Sequence, residues 1–155
     1  MISGKVASTT GLVVVAAAFV AAQFVPAKRV NPPAQSSLVA PLPIMATLRR
    51  ACYDFHSNET RWPWYSRVAP VSWLIVRDVN LGRQEINFSE WASYYPRTRR
   101  RKLEWIGRAL HEEEMPPWSY RLMHPGARLT DADRAALVRW TESALDTPST
   151  QTSNK

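Results

Sequence analysis

The sequence contains a single cysteine, Cys52, and only five glycines against twelve prolines. One cysteine excludes an intramolecular disulfide and any zinc or iron–sulfur site that is built from cysteines alone. Few glycines and many prolines disfavour a domain of many β-hairpins, because tight hairpin turns need residues that adopt positive φ. No stretch alternates between apolar and polar residues for long enough to predict a sheet. These absences favour an all-α fold.

The chain is basic, with 20 Lys and Arg residues against 13 Asp and Glu residues and a formal charge of +7. This charge favours an acidic protein surface or the anionic headgroups of a lipid bilayer as partners. No basic helix carries interleaved aromatic residues, and no signature of a nucleic-acid-binding fold is present. We therefore expect no nucleic-acid partner.

Residues 1–27 predict a membrane anchor, or a signal sequence that stays uncleaved. No charged side chain occurs from Val6 to Ala27, and as a helix these 22 residues span ~33 Å, about the thickness of a bilayer core. The alternative is a cleaved signal peptide with Val20-x-Ala22 as its cleavage site. In both cases the remainder is exported. We expect a single-pass protein of the bacterial inner membrane with its globular domain in the periplasm.

The rest of the chain divides into three parts by composition. Residues 28–43 are rich in proline and predict an extended, semi-rigid tether. Residues 146–155 are rich in Ser, Thr and Asn and predict a flexible tail. Residues 44–145 show helical periodicity and predict a small domain of four or five short helices.

Four segments carry the helical signal. The predicted helices are Ile44–Tyr53, with Met45, Leu48 and Cys52 on one face; Val71–Leu81, with Gly82 as its C-cap; Thr98–Glu113, with a stripe of Leu103, Ile106 and Leu110; and Thr130–Leu145, which presents Leu137, Trp140 and Ala144. Thr130 and Asp133 are spaced as a capping box for the last of these.

Cys52 and His56 are separated by one helical turn, which places them on the same face of a helix. A thiol and an imidazole in this arrangement can hold one flat group from the same side. Covalent haem attachment uses this arrangement, since thiols add to the haem vinyl groups and the adjacent histidine binds the iron. The standard motif is Cys-x-x-Cys-His, and here Phe55 occupies the position of the second cysteine.

The surrounding sequence resembles the haem-binding domain family of exported cytochrome-c-like proteins. The resemblance covers about residues 26–142 and recurs as ordered blocks, namely Ala51–Ser66, Val68–Trp73, Gly82-Arg83, Asn87–Trp91, Met115–Pro117 and His124-Pro125. It implies a small cytochrome-c-like helical domain with a single haem c.

The resemblance also implies a set of ligands. His56 would be the proximal iron ligand, Cys52 would form a single thioether, and Phe55 would lie beside a vinyl group. Met115 would be the distal ligand, and because it precedes a proline it is expected to lie in an extended loop rather than in a helix. His111 and His124 are alternatives for that position.

Two further groups have more than one interpretation. The aromatic residues Trp62, Trp64 and Trp73 either wall a haem pocket or belong to the core. The basic run from Arg97 to Lys102 is a solvated helical turn, or it binds haem propionates, an acidic partner or lipid headgroups.

These features predict a periplasmic, membrane-anchored electron carrier in a respiratory or photosynthetic complex rather than an enzyme. A His/Met-ligated iron has no open position for a substrate. The alternative is a haem-free structural subunit with a degenerate cytochrome fold that stabilises a larger membrane complex. A peroxidase-like enzyme would require a vacant distal position in place of Met115.

Overall fold

The computed structural model describes residues 3–146, and side chains from residue 9 onward. Within this range the protein is all-α and contains no strand, as predicted. The helices are α1 (Ser3–Ala22), α2 (Leu42–Ala51), α3 (Tyr53–His56), α4 (Val71–Glu85), α5 (Pro96–His111), α6 (Trp118–Met123) and α7 (Asp131–Asp146). Three short 3₁₀ helices, Trp64–Arg67, Phe88–Ser93 and Pro125–Ala127, lie in the connections.

The core forms where α7 packs against α5 and α2. The predicted stripe of α5 is buried, and it meets Leu137 of α7 and Leu48 of α2, which are 0% and 1% exposed. Full burial of one such leucine contributes roughly 1.5–3 kcal/mol to folding. The apolar faces predicted for these three helices are therefore confirmed.

The start of α7 has the predicted capping box. The backbone N–H of Asp133 donates to Thr130 Oγ1 at 3.1 Å, and Asp133 Oδ2 accepts from the Thr130 backbone N–H at 2.9 Å. Two backbone donors at the helix start are satisfied reciprocally in this way.

The N-terminal helix α1 differs from the predicted anchor. None of the helices in residues 3–146 combines the length and the hydrophobicity that a bilayer crossing demands, so the transmembrane anchor predicted in residues 1–27 is not supported. The physical reason is the short apolar run: Leu12–Ala22 has eleven residues and spans ~17 Å as a helix, and polar residues precede it.

Residues 28–43 are extended as far as Pro41, but they do not form a free spacer. Leu38 is buried in the core, and its backbone N–H donates to the Phe88 carbonyl at 2.7 Å. Ser36 forms backbone hydrogen bonds to both Ser89 and Ala92. The predicted tether is thus part of the domain surface, because its backbone groups pair with the 3₁₀ helix Phe88–Ser93.

Of two other predicted boundaries, one differs from the structure and the other lies outside the described residues. Gly82 does not end α4, which continues to Glu85; this glycine serves a contact described below. The predicted tail lies outside the described residues from position 147 onward.

Candidate functional site

The segment that contains Cys52 and His56 is a single helical turn with a break at its start. α2 ends at Ala51, Cys52 has a non-helical φ of −121°, and α3 follows at once. The backbone N–H of His56 donates to the Cys52 carbonyl at 3.0 Å. The two residues are therefore one turn apart, as the spacing predicted.

Cys52, His56 and Met115 line the same small cavity. It has a volume of about 30 Å³ and is otherwise apolar. Its remaining walls are Leu48, Ile86, Phe88, Trp105, Ile106, Ala109, Leu110 and Leu137. Residues from the α2–α3 junction and from the loop after α5, about sixty positions apart in sequence, thus converge on one point.

The protonation of the His56 ring follows from its hydrogen bond. Nδ1 lies 2.8 Å from the Gly82 carbonyl oxygen, and because a carbonyl only accepts, Nδ1 must carry the proton. Nε2 is then the nitrogen with a free electron pair, the form in which imidazole binds a metal. His56 is 8% exposed, and its burial lowers the pKa of the ring, which keeps the imidazole neutral.

Gly82 permits this hydrogen bond because α4 approaches α3 very closely. A Cβ at position 82 would lie 2.6 Å from the Phe55 carbonyl oxygen. Any other side chain would push the two helices apart. The glycine is required by packing, and this explains why it lies inside a helix, where glycine is normally unfavourable.

Arg83, the next residue, holds the chain that follows α3. Its guanidinium donates to the Ser57 carbonyl, the Val30 carbonyl, Asn31 Oδ1 and Thr60 Oγ1, at 2.8–2.9 Å. In the sequence, Arg83 is indicated only by the family resemblance, and Gly82 also as a predicted C-cap. The structure shows that this pair fixes the His56 segment from two sides.

The two sulfur atoms of the site belong to an apolar environment. Burial raises the pKa of the Cys52 thiol to about 12, so this group is neutral at physiological pH. Met115 lies in the loop between α5 and α6, as predicted from the proline that follows it. A neutral thiol and a thioether are both compatible with the apolar walls of the cavity.

Phe55 faces a different cavity. Its ring packs edge-to-face on Tyr120, with 4.9 Å between ring centroids, and it lines a cavity of about 450 Å³ on the other side of α3. His124 lines the same cavity and stacks on Tyr120 at 4.1 Å. The structure thus separates Phe55 and His124 from the Cys52 cavity.

The predicted tryptophan wall is not at the Cys52 cavity either. Trp64 is 74% exposed, the Trp62 indole N–H donates to Asn31, and the Trp73 indole N–H donates to the Val25 carbonyl. The indole N–H groups of Trp62 and Trp73 thus attach the segment after α1 to the domain. His111, the other alternative ligand, is exposed at the end of α5.

The tryptophan that does line the Cys52 cavity is Trp105, which the sequence analysis missed. Its ring lies 6.3 Å from the His56 ring, centroid to centroid. Trp105 falls outside the Leu103–Ile106–Leu110 stripe, so helical periodicity gives no indication of its burial. The only local indication that Trp105 belongs to the site is its position among the basic residues of α5.

The geometry agrees with the result of a comparison with known families. The family model described as haem-binding domain matches residues 17–143. The chain belongs to the haem-binding domain family. No curated protein and no solved structure matches the chain.

The residues of this haem-binding domain fit haem in their chemistry. An imidazole, a thioether and a thiol line one apolar cavity. Its volume is about a tenth of the ~300–1,000 Å³ that pockets for small molecules and cofactors occupy. Haem can therefore bind only if side chains that line the cavity move.

Proposed function

We propose that this member of the haem-binding domain family is a one-electron carrier whose haem iron would be held by His56 and Met115. The observation that supports the proposal is the convergence of Cys52, His56 and Met115 on one cavity. Haem held by a nitrogen and a thioether exchanges single electrons and has a raised reduction potential.

The protein's own residues prepare the site. The Gly82 carbonyl holds His56 in one tautomer and orients its ring. Phe88, Leu110 and Leu137 make the walls of the cavity apolar, and an apolar environment favours the less charged, reduced state. If His56 and Met115 both hold the iron, the haem would offer no open position to a substrate, so the proposed activity is electron transfer rather than catalysis.

The proposed attachment uses one thioether, through Cys52. Position 55 carries a phenylalanine, which supplies no second sulfur. The proposed location is the periplasm, with a membrane electron-transfer complex as the partner, because haem is attached to thiols outside the cytoplasm and the chain has an apolar N-terminal segment. Cell fractionation and co-purification test these two points.

The central experiment is expression of the full chain together with a c-type haem attachment system. The intact mass should increase by one haem, and the reduced pyridine haemochrome should show the spectrum of a single thioether. Cys52→Ser should lose covalent attachment, and His56→Ala should lose the low-spin spectrum. The control is His111→Ala, because His111 is exposed and does not line the cavity. A wild-type chain that acquires no haem under these conditions would refute the carrier function.

Replacement of Met115 tests the distal ligand. Met115→Ala should convert the reduced spectrum from low spin to high spin, because one axial position becomes vacant. An unchanged reduced spectrum would exclude Met115 as a ligand and would make a peroxidase-like activity the function to test.

A second function, a haem-free structural subunit, is favoured by one specific observation. The cavity between the three ligating side chains holds only about 30 Å³, and the core is complete around it. If the purified chain is folded, lacks haem absorbance and stabilises a membrane complex, the structural function is correct.

A further inference from the structure

A third cavity, distinct from the one that Phe55 lines, lies directly beside the Cys52 cavity. It has a volume of about 420 Å³, and we refer to it as the basic cleft. Its lining residues are Glu85, Ile86, Thr98, Arg101, Lys102, Glu104, Trp105 and Arg108. Ile86 and Trp105 line both cavities, so these two side chains form the wall between them.

The basic cleft carries an excess of positive charge. Glu104 is paired with Arg100 at 3.2 Å, and Lys102 donates to the backbone carbonyl of Glu85 rather than to its carboxylate. Within residues 9–146, neither Arg101 nor Arg108 forms an ion pair, and the Glu85 carboxylate forms none. The three cations Arg101, Lys102 and Arg108 against the two carboxylates of Glu85 and Glu104 give the lining a net charge of +1.

The charge and the size of the cleft fit one part of the haem molecule. Haem is an apolar ring with two carboxylate groups, the propionates, on one edge. The Cys52 cavity supplies iron ligands but almost no volume, whereas the basic cleft supplies volume and an excess of positive charge. Only Ile86 and Trp105 line both, and Trp105 is half-buried, so its side chain has room to move toward solvent.

We propose that the basic cleft binds the two haem propionates through Arg101, Lys102 and Arg108, and that displacement of Trp105 joins the cleft to the Cys52 cavity. This proposal rests on the haem-binding function proposed above. It assigns a role to Arg101 and Lys102 of the basic run. It also explains how a cavity of about 30 Å³ can belong to a haem site.

The test compares two porphyrins that differ only in the charge of the propionates. The full chain, produced without haem attachment, is titrated with ferric haem and with ferric haem dimethyl ester, and binding is followed by Soret absorbance. The wild type should bind haem about tenfold more tightly than the ester, as expected for two or three partly exposed charge pairs. Arg101→Gln/Arg108→Gln should bind both porphyrins with nearly equal affinity.

The control is Arg97→Gln/Arg139→Gln, which removes the same charge at exposed positions that do not line the cleft. It should retain the preference for haem, and added salt should reduce that preference. If the wild type binds both porphyrins equally, or if the double variant keeps the preference, the cleft does not bind propionates, while haem binding itself stands. An acidic protein partner would then be the ligand to test. If the wild type binds neither porphyrin, the haem-binding function fails and this proposal fails with it.

Discussion

Replacement of Gly82 by alanine should destabilise the protein, although alanine is the better helix former. The added Cβ would lie 2.6 Å from the Phe55 carbonyl oxygen, about 0.8 Å closer than ordinary contact allows. That oxygen belongs to the backbone of α3, so α3 and α4 must separate. Such overpacking costs ~1–3 kcal/mol, and the gain in helix propensity returns at most ~1 kcal/mol. We expect a net loss of about 1–2 kcal/mol in the free energy of unfolding.

Urea denaturation followed by circular dichroism measures this loss. With an m-value of ~2 kcal/mol/M, the middle of the usual range, the midpoint for Gly82→Ala should fall by about 0.5–1 M. Gly107→Ala is the matched control, because Gly107 is also helical but its added Cβ would meet only the Thr141 hydroxyl at 3.2 Å. Its midpoint should stay close to that of the wild type. If Gly82→Ala is as stable as the Gly107 variant, the close approach of α3 and α4 is wrong.

Three further predictions concern other contacts. Asp54→Asn should lower stability by about 2 kcal/mol in thermal or urea unfolding, because the buried carboxylate accepts hydrogen bonds from Tyr120 and Arg61. The control Asp78→Asn, in an exposed ion pair, should change stability by less than ~0.5 kcal/mol. Equal effects of the two variants would contradict the stabilising role of the Asp54 hydrogen bonds. Hydrogen bonds from Thr130 lower the pKa of Asp133 below its ordinary value of 3.8, so their contribution is present above that pH and is lost as the pH falls through the folded-state value. At neutral pH the Asp133→Asn variant should therefore be less stable than the wild type, but between neutral pH and about pH 3 it should lose less stability than the wild type does. Stability–pH curves of the two proteins that run parallel would refute this. The neutral Cys52 thiol should react with iodoacetamide at pH 8 more than ~100-fold more slowly in the folded haem-free chain than in urea, because only the thiolate is nucleophilic; equal rates would contradict its burial.

The helices could be predicted because their signals are local. The stripe Leu103, Ile106 and Leu110 repeats at helical spacing, and Thr130 caps its helix through a residue three positions away. Gly82 was misinterpreted as a helix end for the opposite reason. Its role depends on Phe55, which lies 27 positions earlier in the sequence and reaches it only in the folded protein.

The candidate site likewise combines local features that the sequence predicted with long-range features that it did not. The Cys52–His56 turn is local and was predicted from spacing, whereas Met115 was predicted from a family resemblance. Neither the separation of Phe55 into another cavity nor the position of Trp105 between two cavities could be predicted. Both depend on how α4, α5 and α6 pack around α3, and no short-range pattern encodes that packing.

The docking of Leu38 has a consequence for where the folding unit begins. A fragment that starts at Ile44 would lack this side chain, exposing the apolar surface of Ile86 and Phe88 in the same core cluster. It would also leave the Phe88 and Ser89 carbonyls without their backbone donors. A protease that cuts between Leu38 and Leu42 would therefore separate these contacts from the rest of the domain, and the trimmed domain would be prone to aggregate.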